Sequence, residues 1–242
     1  MASGTYDIIT VGGGLGGTAL AKAMAEHGAR VLVLERETQF KDRVRGEGLV
    51  PWGVAETQAL GLYELLRTTC AHELPYFDFS AGLGSEEPRD LIATTPQRLP
   101  CFSFYHPAMQ EVLLHAATTA GAEVRRGASV RDVKPGSIPT VVVEQEGQVE
   151  EIPARLIVGA DGRGSMVRKW AGFPVHHNPD GLILSGVLFE EMSMPQEDTF
   201  YFILRPTLGQ GLPFTHKCQL LSNVGRLYNC PDFAKERGEE LR

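Results

Sequence analysis

Gly12, Gly14 and Gly17 form a G-x-G-x-x-G pattern within Gly12-Gly13-Gly14-Leu15-Gly16-Gly17. The apolar run Ile8-Ile9-Thr10-Val11 precedes it and an Ala-rich stretch, residues 18–27, follows. This order predicts a strand, a tight glycine turn and the start of a helix. A helix N-terminus carries amides without intrahelical partners and a partial positive charge. Glycines let a pyrophosphate approach those amides with no Cβ in the way. The chemistry implied is recognition of a dinucleotide, before any reaction is implied.

Glycine-rich loops also make plain turns, so the flanking residues decide. Residues 8–11 form a short apolar run of the kind a strand buried on both faces requires. In the helix that follows, Ala19, Leu20, Ala23, Met24 and His27 fall on one side, with small residues where it would lie against a sheet, and Gly28 supplies a stop. A second apolar strand, residues 31–34, ends at Glu35, 21 positions after Gly14. That is close to the offset at which a carboxylate accepts hydrogen bonds from an adenosine ribose. The plainer reading of Glu35 is an exposed charge at a strand end.

A second cluster lies far downstream. Leu156-Ile157-Val158 reads as another buried, parallel-type strand and runs into Gly159-Ala160-Asp161-Gly162-Arg163-Gly164-Ser165. An Asp-Gly there places a carboxylate and a tight turn at the carboxyl edge of a sheet, where open α/β sheets bind ligands. Ser165 is poised to cap a helix over Met166–Trp170, with Arg163 and Arg168 close by. The polar stretch 36–48 holds Arg43, Arg45 and Glu47. It is either a solvated loop or a cover for a bound anion, since arginine pairs with phosphate through fixed, forked donors.

The elements that must position these residues follow from pattern. Residues 52–66 are helical in part, punctuated by Gly61, and residues 75–100 mix aromatics, Gly and Pro as an inserted sheet would. From His106 a helical pattern puts Met109, Val112, Leu113 and Ala116 on one face until Gly121. Glu123–Arg126 is a third short strand. Residues 130–133, 140–144 and 149–152 alternate and turn at Glu146 and Gly147, as an antiparallel meander does.

Bulk properties narrow the classes further. The 242 residues are 43% apolar and 22% charged, ordinary for a soluble globular chain. A formal charge of −7 disfavours general nucleic-acid binding. No apolar run approaches the roughly 20 residues that span a bilayer. The chain enters its first strand near Tyr6, which leaves no room for a signal peptide. Cys70, Cys101, Cys218 and Cys230 contain no C-x-x-C, so a reduced, cytoplasmic setting is expected. His176 and His177 lack nearby Cys or acidic ligands, and no metal is expected.

Three segments taken together resemble the flavoprotein monooxygenases of the para-hydroxybenzoate hydroxylase type. They are Val11 to Gly17 with Glu35, Arg43-Val44-Arg45-Gly46, and the run from Gly159 through Ser165 to Met166-Val167-Arg168. The resemblance implies an α/β chain, with a Rossmann-like FAD-binding fold, a β-meander and an incomplete β-rich substrate domain. It assigns residues 1–74 and 101–180 to the FAD-binding domain, and residues 75–100 and 181–242 to part of the substrate domain. The implied cofactor-binding set is Gly12, Gly14, Gly16, Gly17, Glu35, Arg36, Arg45, His106 and Asp161. In it, the glycines line the pyrophosphate and Glu35 binds the adenosine ribose. Arg45 reaches toward the ribityl and phosphate region, and Asp161 is linked to FAD and the nicotinamide donor. His106 stands where the family usually has Arg or Gln.

Such enzymes reduce FAD with NADPH or NADH and transfer one oxygen atom from O2 to an aromatic or olefinic small molecule. The cofactor does the bond chemistry and the protein supplies position, polarity and exclusion of water, so no catalytic triad is expected. The Phe and Tyr residues between Tyr76 and Tyr105, and between Phe189 and Phe214, either line an apolar pocket or belong to the core. The family's later Gly-Asp motif has no counterpart among the 27 glycines. The expectation is a truncated product of a longer gene, with a reading-frame change within residues 207–230 or a short variant as alternatives. An interrupted sheet would leave edges or apolar surface unpaired. Competing readings are an FAD-dependent reductase of the geranylgeranyl reductase group, a flavin-dependent halogenase and a non-catalytic nucleotide-binding fragment. A plain NAD-dependent dehydrogenase is disfavoured by the Asp161 cluster after a meander.

Overall fold

The computed structural model describes residues 5–43, 46–80, 87–176, 185–188, 196–206, 216–221 and 226–230. The chain opens with β1 (Tyr6–Val11), α1 (Leu15–Glu26) and β2 (Val31–Glu35), followed by β3 (Gly48–Leu49), α2 (Pro51–Ala59) and α3 (Tyr63–Thr69). Next come β4 (Ala71–Leu74), β5 (Tyr76–Ser80), β6 (Arg89–Asp90), α4 (Leu91–Thr94) and β7 (Cys101–Phe104). Then α5 (His106–Thr119) leads to β8 (Glu123–Arg126), β9 (Ser129–Lys134), β10 (Thr140–Gln145), β11 (Gln148–Gly159) and α6 (Met166–Trp170). The last described strands are β12 (Ser185–Leu188), β13 (Thr199–Pro206), β14 (His216–Leu221) and β15 (Arg226–Cys230). Two compact units result, Met1–Asp42 with Pro107–His176, and Arg43–His106 with His177–Arg242.

The first unit is built on one six-stranded sheet in the order β8-β2-β1-β11-β10-β9. Strands β8, β2, β1 and β11 run parallel, and β11, β10 and β9 run antiparallel. One face buries Ile9, Val11, Leu32, Leu34, Val141 and Ile152. The opposite face buries Ile8, Val31 and Val33 against Ala21 of α1 and Ala117 of α5. All five residues of β2 are buried, which is why its sequence is a continuous apolar run rather than an alternation. Glu146 and Gly147 have φ of +52° and +76°, the double left-handed turn that suits a two-residue hairpin.

Two expectations are corrected here. First, α1 starts at Leu15 rather than at residue 18, so Gly16 and Gly17 lie within it. Its buried residues are Gly17, Thr18, Ala21 and Lys22, not the expected side of Ala19, Leu20, Ala23, Met24 and His27. The small side chains at Gly17 and Ala21 let the helix approach the sheet closely, and closeness outweighs apolarity. Second, residues 149–152 and 156–158 are not separate strands. They belong to β11, a single strand of 12 residues. Its first half pairs with β10 as far as Pro153, and its second half pairs with β1. Pro153 lacks an amide proton and sits where the β10 ladder ends, a tolerated place. One bond further the Ala154 amide still donates to the Pro139 carbonyl (3.0 Å), and beyond that, among the described residues, β11 pairs on the β1 side only. Leu156 is therefore 51% exposed, not buried as its apolar neighbours suggest.

The second unit holds two sheets, β12-β15-β14-β13-β5-β6 and β3-β7-β4. Residues 75–100 contribute β5 and β6 and one helical turn, α4, whose start Asp90 caps by accepting from the Ala93 amide (2.8 Å). Phe77 and Phe200 stack with centroids 5.6 Å apart, beside buried Leu74, Leu91 and Cys101. Phe102 is fully buried, 5.1 Å from the Tyr63 ring. Gly61, φ +63°, separates α2 from α3 as its sequence position implies. Of residues 207–230, β14 and β15 are described and the remainder lies outside the described residues. No helix among the described residues is long and apolar enough to cross a membrane.

Ile9 is fully buried at the centre of β1. Ile9→Ala is expected to lower the unfolding free energy by about 2–5 kcal/mol, read from the urea midpoint. Cys101 is buried, and burial pushes its thiol up to about 12. The native protein treated with iodoacetamide near pH 8 should leave Cys101 unlabelled by peptide mapping, and denaturation should expose it.

Candidate cofactor site

The ends of β1, β2 and β11 are tied together by backbone bonds. The Gly12 amide donates to the Leu34 carbonyl (2.8 Å), and the Ala160 amide donates to the Val11 carbonyl (2.8 Å). Gly12 has φ +107°, and a Cβ on it would lie 2.4 Å from the Ala160 carbonyl oxygen. A Cβ on Gly17 would lie 2.1 Å from the Gly12 carbonyl oxygen. These two glycines are demanded by the protein's own packing. Gly14 and Gly16 differ, because a Cβ on either would meet nothing within 4 Å. The space beside them is open. The motif therefore divides its labour, with the outer glycines closing the turn against the helix and the inner ones leaving room.

The helix start is left electrically positive. Gly14 is the N-cap of α1, with no side-chain cap and no acidic residue in the first turn. The Thr18 amide donates to the Gly14 carbonyl (3.0 Å), so Leu15, Gly16 and Gly17 precede the first helical bond. Glu35 is buried beside this start, not exposed at a strand end. Its Oε2 accepts from the Gly13 amide (2.6 Å) and its Oε1 from the Glu37 amide (2.8 Å). A carboxylate has about four acceptor positions, so two remain for hydroxyl donors.

Asp161 follows two residues after β11. Its Oδ2 accepts from the amides of Met166 (2.6 Å) and Val167 (3.1 Å). Ser165 caps α6 as its position suggests, accepting from the Arg168 amide (3.1 Å). The other oxygen, Asp161 Oδ1, is buried with no hydrogen-bond partner among the described residues, and so is Arg168 Nε. Such groups are rare in folded chains and point to a missing partner. Among the described residues no group of three or more His, Cys, Asp or Glu could hold a metal.

The sequence-derived set is thus partly assembled. Gly12, Gly14, Gly16, Gly17, Glu35 and Asp161 all lie in the first unit, joined through the three strand ends. Arg36 is exposed, 3.5 Å from the Glu37 carboxylate. His106 belongs to the second unit, where its Nδ1 lies 3.2 Å from the Gly46 carbonyl oxygen. Arg45 lies outside the described residues. Three contributors escaped the sequence reading. Gly13 supplies the amide that holds Glu35, and a Cβ there would lie 2.9 Å from the Glu35 Cβ, so the third glycine of the triplet was its signal. Ala160 supplies the carbonyl that Gly12 must clear. Arg126, opposite Glu35 in the β2–β8 register, forks onto Glu111 (2.8 and 2.9 Å) and lies 4.7 Å from the Phe40 ring centroid. Nothing local in the sequence announces that pair.

The open glycines, the uncapped helix start and the unpartnered Asp161 oxygen fit the ADP end of FAD. The family model described as "FAD binding domain" matches residues 5–224. The chain is 33% identical over 199 residues to a rifampicin monooxygenase from Streptomyces venezuelae, covering 80% of this chain and 39% of that protein. It is 27% identical over 173 residues to a digeranylgeranylglycerophospholipid reductase from Thermoplasma volcanium, covering 69% and 42%. An aklavinone-11 hydroxylase, solved as a ternary complex with FAD and aklavinone, has the same fold at TM-score 0.73 and 21% identity. That match covers 99% of this chain and 48% of that one. The chain spans less than half the length of each of these three proteins.

Gly14 has φ −73°, an ordinary value, and open space around it. Gly14→Ala is expected to keep the unfolding free energy within about 1 kcal/mol of the parent while weakening FAD binding at least about tenfold. Gly17→Ala should lower the melting temperature outright, because its Cβ would overlap the Gly12 carbonyl. Thermal melts and quenching of flavin fluorescence separate the two outcomes.

Proposed function

This chain belongs to the FAD binding domain family, and we propose that it carries the FAD site of an NAD(P)H-dependent flavin monooxygenase. The reaction proposed is hydroxylation or epoxidation of an aromatic or olefinic small molecule. One observation carries the cofactor assignment, the uncapped start of α1 with open space at Gly14 and Gly16. In this reading the first-turn amides and those glycines receive the pyrophosphate. Glu35, held by the amides of Gly13 and Glu37, accepts from the adenosine ribose hydroxyls. Asp161 uses Oδ2 to fix the turn before α6 and offers Oδ1 to a hydroxyl donor of the cofactor. Arg36, Arg45 and His106 are assigned to FAD by resemblance to the family pattern.

FAD, when bound, supplies the redox chemistry. The chain's own residues bind it, fix its polar groups and keep the surrounding backbone satisfied. We assign residues 1–74 and 101–180 to the cofactor domain, and residues 75–100 and 181–242 to part of a substrate domain. The sheet β12-β15-β14-β13-β5-β6 supports this division, since all six of its strands come from the second set, whereas the β3-β7-β4 sheet, which the division gives to the cofactor domain, falls in the second compact unit. The aromatic class of substrate rests on the names of the relatives. The donor is NADH or NADPH and the co-substrate is O2. A cytoplasmic setting accords with the scattered cysteines, which contain no C-x-x-C.

The likeness to a digeranylgeranylglycerophospholipid reductase keeps a second reading in play, saturation of a double bond without oxygen. The FAD-loaded protein, given NAD(P)H and a panel of aromatic compounds, discriminates. Nucleotide oxidation should rise with a substrate, require O2, and yield product carrying one atom of labelled dioxygen. Equal oxidation under argon with a saturated product overturns the reading in favour of a reductase. Flavin uptake with no oxidation removes the enzyme assignment, and no flavin uptake removes the cofactor assignment.

A further inference from the structure

Arg125 and Arg126 are neighbours on β8 and take different partners. Side chains alternate along a strand, so the two lie on opposite faces. Arg125 pairs with Glu123 (2.8 Å) and Glu150 (2.9 Å). Arg126 ends β8 and stands opposite Glu35, which ends β2. Its terminal nitrogens fork onto Glu111 of α5 (2.8 and 2.9 Å). Its Nε donates to the Glu37 carbonyl (3.4 Å), and its Cζ lies 4.7 Å from the Phe40 ring centroid. One planar group thus ties α5 and β8 to the loop that follows β2.

That loop carries one of the two donors that hold Glu35. The Gly13 amide bonds Oε2 (2.6 Å) and the Glu37 amide bonds Oε1 (2.8 Å). Gly13 is fixed between β1 and α1. Glu37 belongs to a loop, and Arg126 grips that loop at residues 37 and 40. Gly127 lets the loop lie close, since a Cβ on it would stand 3.3 Å from Thr38 Cγ2. The Ala128 amide donates to the Glu35 carbonyl (3.0 Å) and completes the contact. The Glu37 carboxylate pairs with Lys41 (3.0 Å) and Arg36 (3.5 Å), which leaves Arg126 to Glu111.

We propose that Arg126, held by Glu111, is a positioning residue for Glu35 and so for recognition of the adenosine end of the dinucleotide. The inference rests on the reading of Glu35 as the ribose-binding carboxylate. Arg126 acts through the Glu37 backbone and the Phe40 ring, not by touching the nucleotide. Arginine is required because one side chain must fork onto a carboxylate, donate through Nε and present a cationic face to a ring. The point charge of a lysine does not do all three. The open space at Gly14 and Gly16, where the pyrophosphate is received, takes no part in this chain of contacts. Loss of Arg126 therefore weakens the hold on the adenosine half and spares the pyrophosphate.

The test compares ADP with inorganic pyrophosphate by titration calorimetry on the whole chain. Both ligands use the glycine loop, and only ADP uses Glu35. Arg126→Ala should weaken ADP binding about tenfold and leave pyrophosphate binding within about twofold of the parent. Arg126→Lys should fall between the parent and Arg126→Ala. In a Glu35→Gln background, Arg126→Ala should cost less than about twofold, because its effect runs through Glu35. Phe40→Leu alters the loop and not the sheet, and should weaken ADP binding about threefold. It carries the comparison if thermal melts show that Arg126→Ala does not fold. The proposal is overturned if either folded variant binds ADP as the parent does, if pyrophosphate binding falls by the same factor, or if the full loss persists with Glu35→Gln. A parent chain that binds pyrophosphate as tightly as ADP overturns the Glu35 reading instead, and one that binds neither overturns the dinucleotide site; the proposal falls with each.

Discussion

The structure turns on one close approach. The carbonyl of Ala160 fills the space where a Gly12 Cβ would stand, and the carbonyl of Gly12 fills the space where a Gly17 Cβ would stand. Three segments distant in sequence meet there, at the carboxyl ends of β1, β2 and β11. The amides of Gly12, Gly13 and Ala160 are all spent on protein acceptors. The polarity left over at the junction is therefore the first turn of α1. A helix start without a cap is a cost unless water or a ligand satisfies it, and here the flanking glycines leave the approach to it open.

β11 transmits this constraint. Its register against β1 sets Gly159 opposite Val11, so the turn bearing Asp161 begins level with the glycine loop. The same strand closes the meander, and the two-residue turn at Glu146 and Gly147 fixes how β10 lies along it. One continuous strand thus couples a rigid antiparallel hairpin to the parallel sheet. Asp161 then adds its own restraint by holding the amides of Met166 and Val167. The position of its second oxygen follows from register and capping, not from a flexible loop.

Local chemistry was legible in the sequence and nonlocal register was not. Gly28, the Glu146 and Gly147 turn, the Ser165 cap and the start of α5 at His106 each depend on a few adjacent residues, and each is read correctly. The buried side of α1 is not, because apolar periodicity scores Leu20 and Met24 above Gly17 and Ala21, whereas a helix lying close to a sheet needs the small ones. The continuity of β11 is hidden because Pro153 stands between the two apolar runs, where the β10 ladder ends. Glu35 is identified by its offset from Gly14, yet its hold by the Gly13 amide appears only in three dimensions. The Glu111–Arg126 pair depends wholly on which strands and helices become neighbours.

An unpartnered buried acceptor costs about 1–3 kcal/mol, so its location carries information, but only in context. Thr10, within β1, also has a buried hydroxyl without a partner among the described residues. It lies within a strand whose neighbours on both sides are protein, and it marks no site. Asp161 lies on the turn that meets the glycine loop, where the backbone is already satisfied and the nearby glycines face open space. The same defect falls inside a regular strand in the first place and on a turn at the carboxyl edge of the sheet in the second. What separates them is position, because Thr10 stands in mid-strand whereas Asp161 stands on the turn after β11, whose end is level with the glycine loop.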